Sequence, residues 1–135
     1  MSTEFKHFKT IIEPWPTNPK DAPSIQNVLR TLPSSPEERK QRPIATGCLD
    51  YFPLALAEVA RCSKAGNDQH NLGQPLHWAR SKSTDQADCI VRHLIQRGTL
   101  DSDGIRHSAK VAWRALAMLQ TELEEAAGWA PEEGL

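Results

Sequence analysis

What the sequence lacks excludes several function classes. It has no apolar run long enough to cross a membrane and no hydrophobic export segment. Its 16 Lys and Arg residues nearly balance 17 Asp and Glu residues, and the net charge of −1 gives no support for bulk binding of nucleic acid or membrane. A Gly-rich phosphate loop, a His-Asp doublet and a Gly-x-Ser-x-Gly elbow are all missing. We therefore expect a soluble, cytoplasmic protein that binds neither a nucleic acid polymer nor a membrane.

Cysteine is also scarce. The three residues Cys48, Cys62 and Cys89 lack the spacing of a zinc site. An odd number of cysteines in a chain without an export segment predicts reduced thiols. Cys89 has apolar neighbours at helical spacing, so we expect it in the core rather than in thiol catalysis.

Proline divides the chain unevenly, because seven of its ten prolines lie in residues 1–46. Such a density excludes a long helix there and leaves room only for a short one over 24–32. This stretch is nevertheless too apolar for a free tail, with Phe5, Phe8, Ile11, Ile12 and Trp15. We predict an irregular arm over 1–46 that packs on its own domain or a neighbouring subunit. A helical domain over 47–127 and a tail over 128–135 complete the 135 residues.

Apolar residues at helical spacing predict two helices in the middle of the chain. Pro53 suits the first turn of a helix over about 53–65. Ser83, with Gln86 three residues later, resembles a capping box that starts the second helix, and Gly98 suits its end. The inward-facing residues are predicted to be Leu56, Val59 and Ala60 in the first helix and Ala87, Ile90, Val91, Leu94 and Ile95 in the second.

A third helix is predicted over about 105–125, with Asp101 or Asp103 as its N-cap. Its inward positions step by threes and fours, as in a helical bundle: Ile105, Ala109, Ala112, Leu116, Leu119 and Leu123. Val111, Ala115 and Met118 add a second apolar flank, which predicts a homo-oligomer, a dimer or a tetramer. Together the three helices predict an all-α fold.

Carboxylates border two of these apolar stripes. Asp85, Asp88 and Arg92 share one edge of the second helix, and Glu58 flanks the first. Carboxylates that converge from adjacent helices can bind a divalent cation, and a guanidinium beside it suits a phosphate. The alternatives are structural: Asp85 favours the helix dipole, Asp88 pairs with Arg92, and Glu58 pairs with Arg61 or Lys64.

Two further segments carry polar chemistry. The breaker-rich segment 66–82 is predicted to be a loop and offers His70, Asn71, His77, Trp78, Arg80 and Lys82 for stacking and phosphate contacts. Near the start of the third helix, Asp101 and Asp103 are candidate metal ligands, and His107, Lys110 and Arg114 form a stripe suited to phosphate. Trp78 has core packing as its alternative. For His93 and His107 we favour hydrogen bonding at the core edge over metal ligation.

Several of these segments occur in an order that resembles a known family. They are Gly66-Asn-x-Gln-His-Asn, Pro75-Leu-His-Trp, Lys82-Ser-Thr-Asp-Gln-Ala-Asp, Arg92-His-Leu, Asp101-x-Asp-Gly and Ala109-Lys-Val-Ala-Trp-Arg-Ala. Over about 47–124 the chain resembles the phage dATP/dGTP diphosphohydrolases, the MazZ-type relatives of the all-α MazG nucleotide pyrophosphohydrolases. The resemblance implies a MazG-like helical bundle behind a Pro-rich, partly irregular N-terminal arm. It also implies the cytoplasm of a host cell, if a phage encodes the chain.

The activity implied by this resemblance is a Mg²⁺-dependent hydrolysis of dGTP or dATP, with Mn²⁺ as an alternative ion. The products would be a deoxynucleoside monophosphate and inorganic diphosphate (pyrophosphate), and dGMP would feed the synthesis of 2-aminoadenine nucleotides. The catalytic candidates are Glu58, Asp88 and His93. The metal candidates are Glu58, Asp85, Asp88, Asp101 and Asp103. The substrate-binding candidates are Lys64, Asn67, His77, Trp78, Arg80, Lys82, Arg92 and Lys110.

One departure from the MazG pattern concerns the metal site. The usual Glu-Glu-x-x-Glu run of the first helix is reduced to Glu58, and Glu-x-x-Asp of the second becomes Asp85-x-x-Asp88. Asp50, Asp68, Asp101 and Asp103 are therefore considered as replacement ligands. Two other functions remain open, a broad house-cleaning (d)NTP pyrophosphatase and a non-enzymatic helical interaction module.

Overall fold

The computed structural model describes residues 35–126, so the arm aromatics and the helix predicted over 24–32 lie outside the described residues. Its helices are α1 (Pro36–Lys40), α2 (Pro53–Asn71), α3 (Gln86–Ile95) and α4 (His107–Ala126), with a π-helical turn at Ala45–Leu49 and a 3₁₀ turn at Arg80–Lys82. Residues 35–126 contain no strand beyond one isolated bridge between Leu100 and Arg106. The predicted all-α fold is confirmed. No helix in this range is long and apolar enough to span a bilayer.

The chain divides into two compact units. The described part of the first comprises residues 35–51 and 123–126, and the second comprises residues 52–122. In the first unit, α1 begins where Ser35 Oγ accepts the backbone N–H of Glu38 at 3.1 Å and Pro36 occupies the first turn. All residues that line the candidate site described below belong to the second unit.

Helix α2 begins at Pro53 as predicted but continues six residues past the expected end, to Asn71. The prediction of a loop from Gly66 was therefore wrong over 66–71. Buried Asn67 explains the extension: its Nδ2 donates to the carbonyl of Gln74 at 3.3 Å, and its Oδ1 accepts the N–H of His77 at 3.2 Å. These tertiary hydrogen bonds offset the helix penalty of Gly66, about 1 kcal/mol.

Helix α3 ends at Ile95, three residues before Gly98, which has the predicted left-handed conformation with a φ of 84°. It begins later than the capping box predicts. Its N-cap position is Asp85, which makes no side-chain cap. Gln86 Nε2 donates to the backbone carbonyl of Ser83 at 3.2 Å, while the hydroxyl of Ser83 contacts Arg114. The Ser83–Gln86 pairing is present, but the Ser83 hydroxyl contacts Arg114 of α4 and does not cap α3.

Few hydrophobic side chains are buried among the described residues of the second unit: Cys89, Ala109 and Ala117, which are small, and Ile105. The predictions for Cys89, Ile105 and Ala109 are thus confirmed.

Several other residues predicted to face inward are open to solvent instead. Val91 is 53% exposed, Ile95 73% and Leu116 52%, and Ala60 and Leu119 are exposed as well. Periodicity predicts which residues form an apolar face. In a single chain, no other part of residues 35–126 covers much of that face.

The connection between α3 and α4 is a tight turn held by its own backbone. The N–H of Asp101 donates to the carbonyl of Ile105 at 2.8 Å, and the N–H of His107 donates to that of Thr99 at 3.1 Å. Gly104 has a φ of 76°, which suits glycine at this bend. Since α4 begins at His107, neither acid of the turn is its N-cap, contrary to prediction. Asp103 instead accepts the N–H of Ile105 at 3.0 Å within the turn.

Candidate functional site

A cavity of about 570 Å³ lies within the second unit. Its walls come from the C-terminal half of α2, the segment 77–83, His93 of α3, Asp103 of the turn, and α4. A volume of this size falls in the range of small-molecule sites. The functional side chains that line it are Cys62, Asn67, His70, His77, Trp78, Lys82, Ser83, His93, Asp103, Lys110, Trp113 and Arg114.

Two tryptophans form the aromatic part of the wall. Trp78 and Trp113 meet edge to face, with their ring centroids 5.8 Å apart. The guanidinium of Arg80 lies 3.9 Å from the ring centroid of Trp78 and covers one face of that ring. Arg80 therefore supports Trp78 and does not line the cavity itself. The two rings provide flat apolar surface beside the charged part of the cavity.

Arg114 is fixed before any ligand binds. Its Nη1 contacts the Ser83 hydroxyl and donates to Gln86 Oε1 at 3.1 Å. Its guanidinium lies 5.6 Å from the Trp113 ring centroid. Lys82 lines the same cavity. Because Arg114 is held by neutral partners, its full charge is available to an anion.

Lys110 bridges two carboxylates at the turn. Its Nζ lies 2.6 Å from Asp101 Oδ2 and 2.7 Å from Asp103 Oδ2. The second oxygen of each acid accepts a backbone N–H, from Ser102 at 2.7 Å for Asp101 and from Ile105 at 3.0 Å for Asp103. The hydrogen bond from Lys110 and that from Ser102 hold the pKa of Asp101 down at about 2. The same ammonium lowers the pKa of Asp103, so both acids are ionised near neutral pH.

Two histidines lie beside this bridge. Nδ1 of His93 and Nδ1 of His107 are 2.9 Å apart, and the ring centroids are 5.2 Å apart. One of the two nitrogens must donate and the other must accept, so at least one lone pair is in use. Burial, aided by the charge of Lys110, lowers the pKa of His93 below its usual range. His107 is 4% exposed. The predicted placement of both histidines at the core edge is consistent with this pair.

Among residues 35–126, one group of three side chains could supply metal ligands that meet. One ligand atom each of His93, Asp101 and His107 lie within 4.8 Å of one another. Asp103 does not belong to this group, but Lys110 Nζ contacts both Asp103 and Asp101.

The predicted carboxylate line has different surroundings. Glu58 pairs with Arg61 at 3.3 Å and Asp85 with Arg92 at 3.4 Å, and Asp88 is exposed. None of these five residues lines the cavity. The structure therefore brings together Asp101 and Asp103 of the predicted metal set, and it does not bring Glu58, Asp85 and Asp88 into that group. Whether those three bind a metal stays a prediction.

The predicted substrate-binding residues also divide into two sets. Asn67, His77, Trp78, Lys82 and Lys110 line the cavity, whereas Lys64, Arg80 and Arg92 do not. Lys64 Nζ pairs with Asp68 at 2.6 Å within α2, and Arg92 donates to Cys89 Sγ at 2.8 Å.

Sequence reasoning missed several lining residues. Trp113 belongs to the 109–115 motif but has no predicted role, and Arg114 is predicted only as part of a phosphate-binding stripe. Cys62, one α-helical turn before Gly66, also has no predicted role at this site, and burial raises the pKa of its thiol. The available signal was helical spacing: Lys110, Trp113 and Arg114 lie at i, i+3 and i+4 on one face of α4.

No protein-family model matches this chain, and neither a curated protein nor a solved structure matches it. The resemblance to MazZ-type diphosphohydrolases therefore depends on its short motifs alone.

Proposed function

We propose that the cavity binds a purine deoxynucleoside triphosphate and hydrolyses it between the α and β phosphates, with Mg²⁺ bound. The observation that carries this proposal is that one cavity combines aromatic, cationic and acidic side chains. An aromatic wall suits a base, and Lys82 and Arg114 suit phosphates. Asp103 on the wall, joined to Asp101 through Lys110, suits a cation. The sequence motifs support the choice of dGTP or dATP within the nucleotide class.

The turn fits an oxygen-ligated cation. Asp101 and Asp103 direct their Oδ2 atoms at one point, which the ammonium of Lys110 occupies. Mg²⁺ commonly takes one or two carboxylates together with water and substrate phosphate, which matches two acids at the edge of a cavity. Asp101 and Asp103 are thus the residues that would hold it, with Lys110 turning to the phosphates. When bound, the ion would neutralise phosphate charge and polarise the attacking water.

The remaining steps belong to the chain. Arg114 and Lys82 would hold the triphosphate and neutralise the charge that develops on the departing pyrophosphate. Water attacks the α phosphorus while the bond to the oxygen shared with the β phosphate breaks. His93 would take the proton from that water, because its lowered pKa keeps the ring neutral. In the tautomer whose Nδ1 donates to His107, the Nε2 lone pair is free for this role.

A homo-oligomer is part of the same proposal. Val91, Leu94 and Ile95 on α3 and Leu116 and Leu119 on α4 are large apolar residues with about half or more of their surface exposed. Burial of such a face in a second copy of the chain would stabilise both copies by the hydrophobic effect. Light scattering at micromolar concentration should report at least a dimer, and a monomer would count against this part.

The direct test is incubation of the purified chain with each nucleoside and deoxynucleoside triphosphate and Mg²⁺. We expect monophosphate and pyrophosphate from dGTP or dATP, and no turnover with EDTA. Equal rates with all bases would favour the house-cleaning pyrophosphatase instead. Absence of turnover with every nucleotide would reject hydrolysis, and the exposed faces of α3 and α4 would then favour a helical interaction module.

A further inference from the structure

We propose that His93, His107 and Asp101 form a binding site for a single divalent transition-metal ion of the Zn²⁺ or Co²⁺ type. This site is distinct in its chemistry from the oxygen-ligated Mg²⁺ site at Asp101 and Asp103. It does not depend on nucleotide hydrolysis, because it is argued from the histidine pair.

The histidine pair is close to the geometry of two ligands on one ion. Its Nδ1 atoms are 2.9 Å apart. In a tetrahedral site with Zn–N bonds of about 2.0–2.1 Å, the two nitrogens would be roughly 3.3 Å apart. A small rotation of the more exposed ring, His93, would therefore exchange the shared proton for a metal ion. A carboxylate oxygen of Asp101 lies within 4.8 Å of one ring nitrogen of each histidine and supplies the third ligand atom.

The local structure holds the three ligands in place. His107 is buried at the first position of α4, and its N–H donates to the Thr99 carbonyl at 3.1 Å. Asp101 is fixed in the turn by its own N–H, which donates to the Ile105 carbonyl at 2.8 Å. Two imidazoles and one carboxylate form a typical three-ligand set for zinc, in which a fourth position remains open. His93 lines the cavity, so that position can face a small ligand or water.

Lys110 is the competitor for this site. Its ammonium donates to Asp101 at 2.6 Å and so occupies the carboxylate that the metal needs. A bound dication would also lie near this positive charge, which opposes binding. Replacement of Lys110 by a neutral residue should therefore tighten metal binding. A general loss of structure would not produce that gain.

The test is titration of the full chain with Co²⁺, read by the visible absorption of the bound ion, followed by displacement with Zn²⁺ in the presence of a chelator. We expect one ion per chain. His93→Gln should weaken binding by about a hundredfold or more, since loss of even a ligand's hydrogen-bond partner typically costs 10- to 100-fold. His70→Gln is the matched control, because His70 lines the same cavity outside the group, and its affinity should not change. Lys110→Met should bind at least severalfold more tightly.

Asp101→Asn is a second ligand variant, in case His93→Gln fails to fold. It removes a ligand charge in the turn and should also weaken Co²⁺ binding. Equal Co²⁺ affinity in wild type and His93→Gln, or equal weakening in His70→Gln, would overturn the proposal. So would unchanged or weaker binding in Lys110→Met.

A consequence follows for catalysis, and it depends on the proposed function. Metal on Nδ1 of His93 leaves Nε2 protonated, so His93 cannot accept a proton from water. Zn²⁺ should then inhibit hydrolysis in wild type. The binding titration contains no nucleotide, so a lack of hydrolytic activity leaves its result intact.

Discussion

Two sets of acidic residues in the second unit contrast sharply. Glu58 and Asp85 pair with exposed arginines of their own helices at 3.3 and 3.4 Å. Asp101 and Asp103 share one partly buried ammonium, at 2.6 and 2.7 Å, and sit next to a histidine pair. Both sets consist of carboxylates. The comparison shows that helical spacing brings acids to one edge, but a tight turn against a neighbouring helix makes them converge.

The largest expected effect is a difference in turnover between variants of these two sets of acids. Asp103→Asn removes a charge from the cavity end and keeps the side-chain volume, so turnover should fall by about 10²- to 10³-fold. Asp88→Asn is the matched control on the exposed line, and its turnover should stay near that of wild type. Pyrophosphate release under saturating dGTP or dATP measures both. If Asp88→Asn lost more turnover than Asp103→Asn, the metal would bind at the carboxylates that the sequence predicts, Glu58, Asp85 and Asp88.

The second effect tests whether ligand occupies the cavity. Gly66 lines it, and a Cβ added there would meet no atom within 4 Å. Gly66→Leu should therefore fold well, with the helix gaining up to about 1 kcal/mol, yet its side chain would take the ligand's space. Overpacking of this kind costs about 1–3 kcal/mol, so nucleotide affinity should fall by roughly tenfold or more.

Ala60→Leu supplies the control, because Ala60 is an exposed residue of α2 outside the cavity. Calorimetric titration with a non-hydrolysable purine triphosphate measures both variants. Wild-type affinity in a folded Gly66→Leu protein would show that nucleotide binds elsewhere.

The third effect concerns stability in acid. The pKa of Asp101 falls from 3.8 to about 2 on folding, so its contribution to stability is present in full above about pH 4 and is lost as the pH falls towards 2. After solvent screening we expect about 1 kcal/mol at most. Denaturant unfolding between pH 5 and pH 2 should show a shallower decline in Asp101→Asn than in wild type. Parallel curves would mean that Lys110 does not stabilise the ionised form of Asp101.

The same contrast separates the features that a single sequence predicts from those that it does not. Local patterns predict the all-α class, the start of α2 at Pro53 and the left-handed Gly98 after α3, because these depend on local backbone preferences. They do not predict the extension of α2, which depends on Asn67 bonding to residues seven and ten positions away. The cavity has the same cause: Arg114 reaches Ser83 across 31 positions, and His93 meets His107 across 14. Pairing across such separations has no signature in a single sequence.

The smallest effect should come from Glu58. Its pair with Arg61 is exposed and lies along one helix, and such pairs contribute about 0–1 kcal/mol. Glu58→Gln should thus change the free energy of unfolding by less than about 0.5 kcal/mol and leave turnover unchanged. Thermal melting and the pyrophosphate assay, run beside Arg61→Gln, measure this. If Glu58→Gln folds normally but loses turnover while Arg61→Gln keeps it, the carboxylate itself acts in catalysis. Because Glu58 does not line the cavity of its own chain, a second copy would then have to bring it to the substrate, and a subunit interface would form part of the active site.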